Sequence, residues 1–156
     1  MDIIRRKTDY GLRALVALAR AGKPLRAEEL AEREGVPVAF LHKALTDLAN
    51  AGIVDGQRGP AGGFTLARRL SEINVLEAVE AMQGRLAVSR CLLGDEGCPR
   101  QDTCGLRWAW EKVQQNIGSF LRGLTLQDLV RSLGPAPSRS RSKRKAAAAA
   151  AAASPR

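Results

Sequence analysis

The chain has 156 residues and a formal net charge of +9, with 25 lysines and arginines against 16 aspartates and glutamates. This length fits one domain with a real core and an appended arm, and no apolar run reaches the roughly 18 residues of a transmembrane helix. A positive charge favours a polyanionic partner, but six of the basic residues lie in residues 134–156, which contain no acid. The body keeps only +3, and charge alone does not establish nucleic-acid binding.

The first residues, Met-Asp-Ile-Ile-Arg-Arg-Lys, lead into an amphipathic pattern and lack the apolar stretch of a signal peptide. We therefore expect a cytoplasmic protein without a membrane segment. In that reducing compartment, clustered cysteines serve metals or redox sensing more often than disulfides.

The N-terminal third predicts three helices, over residues 3–21, 27–34 and 37–51. Gly35 closes the second helix, and Pro37 suits the first turn of the third helix because its missing N–H has no partner there. Two helices joined by a short turn that contains glycine are typical of a helix-turn-helix.

A β-hairpin is predicted next, from the apolar runs at residues 53–54 and 64–66 on either side of a glycine-rich tip. Together with the three helices, this hairpin predicts the wing of a winged helix. Arg58 and Gly59 at the tip are candidate DNA contacts, because little bulk there would obstruct approach to a minor groove. The alternative is a small helical bundle with a hairpin and no ligand.

The outward face of the third helix is polar and contains the single histidine of the chain. Its residues are Ala39, His42, Lys43, Thr46 and Asn50. In a recognition helix His42 would lie near base edges or phosphates, with Lys43 as a phosphate or guanine contact and Ala39 beside them. A solvated face with no partner is the alternative.

All three cysteines, Cys91, Cys98 and Cys104, lie within fourteen residues that also contain glycine and proline. Such a loop can bring thiolates together on a soft metal centre such as an iron–sulfur cluster. Zinc is less favoured because the paired C-x2-C spacing and a nearby histidine are missing. A thiol redox switch remains open, whereas a disulfide framework would leave one cysteine over.

The C-terminal half predicts a helix over residues 75–82 behind an Asn74–Glu77 capping box, and a longer one over residues 104–122. A last short helix follows the capping box of Thr125 and Asp128. The long helix has an apolar stripe with steps of three and four, which we interpret as a dimer interface. Packing within one chain is the alternative. The stripe comprises Leu106, Trp110, Val113, Ile117, Phe120 or Leu121, and Leu124.

The pattern therefore predicts a mainly α protein with a small β wing, in three parts. These are a winged helix-turn-helix over residues 1–72, the cysteine loop and dimerisation helices over residues 73–133, and a basic, alanine-rich tail over residues 134–156. The low complexity of the tail predicts disorder. Its basic residues would either add non-specific affinity for DNA or serve solubility alone.

The chain resembles the iron–sulfur winged-helix regulators of the IscR and NsrR type, the bacterial Rrf family. The resemblance covers residues 1–133 and rests on four segments and the three-cysteine loop. The segments are TDYGLR at residues 8–13, LANAGIV at 48–54, RGPAGGFTLAR at 58–68 and TLQDL at 125–129.

This resemblance implies a homodimer on a palindromic double-stranded operator, with the third helix in the major groove and Arg58 in the minor groove. It implies a cluster, 4Fe–4S or 2Fe–2S, held by Cys91, Cys98 and Cys104. Some members add a histidine three residues after the last cysteine, but Arg107 stands there. Others use an acidic residue of the partner's first helix, and Asp9 matches that position. Its alternative is a surface carboxylate paired with a nearby arginine.

The expected function is a regulator, in the first instance a repressor, that senses redox state, nitric oxide or iron–sulfur status. A metal-free thiol-switch repressor is the competing interpretation. An enzyme is disfavoured, because no nucleophile–base pair and no phosphate-binding glycine loop with its lysine is present.

Overall fold

The computed structural model describes residues 3–57, 59, 62–92, 100 and 103–134. Within these residues it contains six α-helices and one two-stranded antiparallel sheet, which confirms the mainly α class with a small β wing. The elements are α1 (Arg6–Ala21), α2 (Ala27–Glu34), α3 (Val38–Asn50), β1 (Val54–Gln57), β2 (Gly63–Leu66), α4 (Val75–Gln83), α5 (Arg107–Gly123) and α6 (Leu126–Ser132).

Two helices begin three residues later than their apolar patterns predict. Helix α1 begins at Arg6, because the backbone before it binds the end of α4. There the Arg5 N–H donates to Gln83 Oε1 at 3.0 Å, and the Ile3 carbonyl accepts from Gln83 Nε2 at 2.8 Å. Helix α5 begins at Arg107, whose N–H donates to the Cys104 carbonyl in a tighter turn.

Helices α2 and α3 form the predicted helix-turn-helix. Gly35 ends α2 in the left-handed conformation (φ +63°), which a residue without Cβ adopts at little cost. The Val36 N–H then donates to the Ala31 carbonyl at 3.0 Å, and the buried Val36 side chain directs the chain into α3. The inward faces of both helices pack on α1. The buried residues of the three helices include Ala14, Leu15, Leu18, Leu30, Leu41, Ala44, Leu45 and Leu48.

The predicted wing is an antiparallel pair in which Val54 lies opposite Leu66 and Gln57 opposite Gly63. Leu25, just before α2, forms an isolated β-bridge with this pair: its N–H donates to the Phe64 carbonyl at 3.1 Å, and its carbonyl accepts from the Phe64 N–H at 2.8 Å. The wing is therefore attached to the start of the helix-turn-helix.

Helices α4 and α6 begin side by side. Their N-cap residues, Asn74 and Thr125, form a β-bridge, and each accepts a hydrogen bond from the backbone N–H three residues on, as the capping signals predict. Ile73, Ala78, Met82 and Leu126 join the core of the winged helix. The predicted domain boundary after residue 72 remains a prediction. Residues on both sides of that position contribute to the same core.

Helix α5 lies on the outside of this body. Ile117, Leu121 and Leu124 pack against a small cluster formed by Val75, Leu76, Val79 and Leu86. Even so, no residue of α5 is fully buried within the chain. In the described part of the chain, none of the helices has the length and apolar character needed to cross a membrane.

Candidate nucleic-acid interface and cysteine site

One face of α3 is uncovered along its whole length. Ala39, His42, Lys43, Thr46 and Asn50 lie on this face, where Ala39, Lys43, Thr46 and Asn50 are separated by steps of three and four and His42 adjoins Lys43, and all five are exposed. The opposite face supplies the core of the winged helix. Helix α3 is therefore anchored on one side and free on the other, as a helix that enters a DNA groove must be.

Two side chains of this face have partners that restrict them. The imidazole Nε2 of His42 lies 3.4 Å from Glu28 Oε1 on α2, and the Thr46 hydroxyl donates to the His42 carbonyl at 2.9 Å. The backbone N–H of Glu28 and the His42 ring hold the pKa of the Glu28 carboxyl below its usual value. His42 is thus held at the junction of α2 and α3 by a carboxylate that stays ionised.

The acidic residue of α3, Asp47, is engaged by α1. Asp47 is half-buried and its carboxylate lies 2.5 Å from the Lys7 ammonium of α1. This ion pair compensates the charge of Asp47 and ties α3 to α1. Lys43, which is exposed and precedes Asp47 by one helical turn, therefore has an acidic neighbour whose carboxylate is already paired.

The tip of the wing is described only in part. Gly59 is exposed with φ +116°, and its carbonyl accepts from the Gly62 N–H at 2.9 Å. This conformation favours glycine, which leaves position 59 without a side chain. Arg58 lies outside the described residues, and its role in a minor groove stays a prediction.

The two described cysteines lie at the two ends of the loop. Cys91 is half-buried in a 3₁₀ turn (Arg90–Leu92), with its Sγ 3.2 Å from the Ser89 hydroxyl. Cys104 is exposed, shortly before α5, and both are free thiols. Cys98 lies outside the described residues.

Asp9 lies on the surface of α1 and is paired with Arg13 at 3.0 Å, the partner expected for a surface carboxylate. Among the residues that the structure describes, no three His, Cys, Asp or Glu side chains come together around a possible metal ion. Asp9 therefore does not join Cys91 and Cys104 of its own chain. Arg107, at the position where a histidine ligand would stand, is paired with Glu111 at 2.9 Å.

The sequence interpretation missed two residues next to the cysteine site, Glu80 and Gln114. Both bind the backbone of residues 86–88, which leads from α4 to Cys91. No local signal marks either residue, since glutamate and glutamine are ordinary on the outside of helices.

The apolar stripe of α5 is only partly covered within the chain. Ile117, Leu121 and Leu124 pack on the α4 cluster. The exposed members are Leu106 (61%), Trp110 and Val113 (both 39%) and, toward the C-terminal end, Phe120 (68%). Trp108, 67% exposed, lies on the opposite side of the helix. An apolar face of this size without a cover is typical of an interaction surface.

The sequence of this chain is similar to a family model and to several bacterial proteins. The Rrf2 family model, described as "Iron-dependent Transcriptional regulator", matches residues 4–132. The repressor NsrR of Streptomyces coelicolor is 39% identical over 126 residues, covering 79% of this chain and 84% of the relative. Protein aau3 of Rhizobium meliloti is 36% identical over 131 residues (83% and 85%), and the regulator IscR of Xenorhabdus nematophila is 32% identical over 128 residues (81% and 77%).

Solved structures that resemble the fold include a cysteine regulator and an IscR protein. CymR (YrzC), the global cysteine regulator of B. subtilis, superposes with a TM-score of 0.69 at 23% identity, covering 85% of this chain and 98% of that one. That likeness concerns the fold alone. IscR of T. potens superposes with a TM-score of 0.65 at 26% identity, covering 86% and 93%.

Proposed function

The chain belongs to the Rrf2 family of transcriptional regulators, and from that membership we propose a homodimeric repressor that binds a palindromic operator and senses its signal through a cysteine-ligated iron–sulfur cluster. The protein is a regulator and not an enzyme. The observation that carries the proposal is the exposed polar face of α3, anchored by its other face in the core and flanked by the wing.

On DNA, α3 would lie in the major groove with its N-terminal part toward the bases. Ala39 is small enough to contact a thymine methyl group, His42 reaches base edges, and Lys43 reaches a phosphate or guanine. Arg58 would enter the adjacent minor groove, with Gly59 allowing close approach. A second copy would read the other half-site about 34 Å away, one turn of the double helix.

The DNA-binding part is tested by selecting binding sites from random double-stranded DNA and comparing variants on the selected site. Lys43→Ala should weaken binding and flatten the dependence of log K on log salt by about 0.9, the value for one lost phosphate contact. Lys112→Ala on α5 removes the same charge away from α3 and is the control. The proposal is wrong if no sequence is enriched, or if the two variants behave alike.

The cluster would be held by Cys91, Cys98 and Cys104, with Asp9 of the partner subunit as the fourth ligand. The donor set fits, because thiolates are the ligands of iron–sulfur clusters and both described cysteines are free thiols at the ends of one short loop. The half-exposed Asp9 carboxylate is accessible to a second chain. When bound, the cluster, 4Fe–4S or 2Fe–2S, would supply a centre that responds to oxidants or nitric oxide.

The visible spectrum of protein purified without oxygen tests the cluster. We expect broad absorbance near ~400 nm from thiolate–iron charge transfer, abolished by each Cys→Ala change. Asp9→Ala should keep the band but bleach faster in air. Arg13→Ala removes the same ion pair and leaves the carboxylate, so it should bleach like the wild type. Equal bleaching of Asp9→Ala and the wild type would exclude Asp9 as a ligand.

A metal-free thiol switch in the cytoplasm is the second candidate, favoured by the exposed free thiol of Cys104. It predicts a colourless protein whose DNA affinity changes between oxidant and reductant and returns on reduction. A colourless protein with unchanged affinity would exclude both candidates.

A further inference from the structure

The backbone of residues 86–88 is bonded by side chains of both neighbouring helices. The Leu86 N–H donates to Glu80 Oε1 at 3.2 Å, and the Leu86 carbonyl accepts from Gln114 Nε2 at 2.8 Å. The Val88 N–H donates to Gln114 Oε1 at 3.0 Å. The Leu86 side chain is itself buried in the cluster between α4 and α5. This connection is therefore attached to α5 through its backbone as well as its side chain.

A glutamine is well suited to this position, because its amide has a donor and an acceptor in one plane, as a peptide group has. Gln114 takes the place that a neighbouring strand would have for Leu86 and Val88. Glutamate could accept from Val88 but could not donate to Leu86, and leucine could do neither. Gln115, the next residue, is exposed and makes no side-chain hydrogen bond within the described part of the chain.

The two hydrogen bonds from Gln114 to residues 86 and 88, called the tether below, lie shortly before the first cysteine. The Ser89 carbonyl accepts from the Leu92 N–H at 3.1 Å, and the Ser89 hydroxyl lies 3.2 Å from Cys91 Sγ. Val88 precedes Cys91 by three residues, which span at most about 10 Å even when extended. Cys91 therefore has little freedom to move without moving Val88, and Val88 is bonded to α5.

The geometry points to Gln114 as the positioning residue that couples Cys91 to α5. This inference rests on the proposed function, in which the cysteine loop is the sensor and α5 is the dimerisation helix. A displacement of Cys91 moves residues 86–88, and the hydrogen bonds of Gln114 transmit this movement to the middle of α5. The two DNA-reading helices of the dimer then respond to the state of the loop.

The tether is tested first without metal, by the rate at which iodoacetamide alkylates each cysteine in the full-length reduced protein. Gln114→Leu removes both hydrogen bonds and should raise the rate at Cys91 by at least about fivefold, the factor for one neutral hydrogen bond. Gln114→Glu, which keeps one bond, should give a smaller rise and serves if the leucine variant does not fold. Cys104, which is exposed and is not hydrogen-bonded to Gln114 in the described part of the chain, is the internal reference, and Gln115→Leu is the matched control.

The coupling is tested by the ratio of operator Kd values between protein reconstituted with iron and sulfide and metal-free protein. Gln114→Leu should keep the visible band and move this ratio toward one, while Gln115→Leu keeps the wild-type ratio. An unchanged Cys91 rate overturns the inference, and so does a faster rate with an unchanged ratio. Equal loss of affinity in both states would show a purely structural role and also overturn it. If the wild type binds no iron, the cluster proposal fails, and the alkylation rates alone decide the tether.

Discussion

Glu34, the last residue of α2, has an environment that opposes its charge. It lines a groove of about 480 Å³ between α1, α2 and α6, together with Leu12, Arg20 and Leu129. Partial burial raises the pKa of its carboxyl, although Arg13, Arg20 and Arg33 act in the opposite direction. The negative end of the α2 dipole also disfavours a carboxylate there. At neutral pH this residue therefore costs stability.

We expect Glu34→Gln to raise the melting temperature at pH 7. Folding raises the pKa of the Glu34 carboxyl. The contribution of Glu34 to the stability of the wild type is therefore most favourable at low pH, where the carboxyl is protonated, and it is lost as pH rises through the folded-state pKa. The gain from the substitution should accordingly shrink as pH is lowered toward the ordinary glutamate pKa of about 4.3. Thermal unfolding between pH 4 and 7 measures this. Glu32→Gln makes the same charge change at an exposed neighbour and is the control for the loss of one negative charge. A gain for Glu34→Gln that does not vary with pH would contradict the prediction.

At the scale of elements, α1 holds the molecule together because α3, α4 and α6 all pack on it. Gly11 of α1 lies where α3 and α4 both approach this helix. A Cβ at this position would collide with Met82 Sδ of α4 and lie 3.2 Å from the Ala44 Cβ of α3. The absence of a side chain is therefore what lets three helices meet at one point.

Gly11→Ala should destabilise the protein by about 1–3 kcal/mol, because overpacking outweighs the better helix propensity of alanine. Gly118→Ala in α5 is the matched control: nothing lies within 4 Å of its added Cβ, so it should be neutral or stabilising by up to about 1 kcal/mol. Urea unfolding of both variants measures the difference. Equal stability changes would mean that Met82 moves aside freely.

At the scale of the whole molecule, α5 is a helix whose apolar stripe is only partly covered by the rest of the described chain. Ile117, Leu121 and Leu124 pack on the α4 cluster, whereas the apolar residues near the start of α5 are exposed within the described chain. The same helix follows Cys104 and is bonded to the segment before Cys91. A second copy placed on this face would bring sensing and DNA reading into one assembly.

Val113→Glu should convert a dimer into a monomer, because it places an unpaired charge in the apolar contact. A cost of about 2 kcal/mol or more corresponds to at least a thirtyfold rise in the dimer dissociation constant. Gln115→Glu introduces the same charge on the opposite side of α5 and should leave the dimer intact. Sedimentation equilibrium measures both. A wild type that sediments as a monomer at high concentration would refute the dimer.

The sequence by itself determined the features that depend on neighbours a few residues apart. The N-cap of α4 by Asn74, the capping box of α6, the glycine that ends α2, the exposed face of α3 and the paired runs of the wing were predicted correctly, since helix periodicity and capping act over three to four residues. The return half of the predicted box at α4 does not form, because the Glu77 carboxylate binds Arg68. The segments shared with the family and the spacing of the cysteines could likewise be recognised from the sequence.

Only the tertiary structure decided which distant groups meet. It brought Gln114 to the backbone of residues 86 and 88, Gln83 to residues 3 and 5, and Leu25 to Phe64 as an isolated β-bridge. It also divided the apolar stripe of α5 into residues that pack on the α4 cluster and residues that are exposed. A glutamine amide has the same appearance in a sequence whether it faces water or a backbone, because its partner is set by the packing of helices and not by adjacent residues.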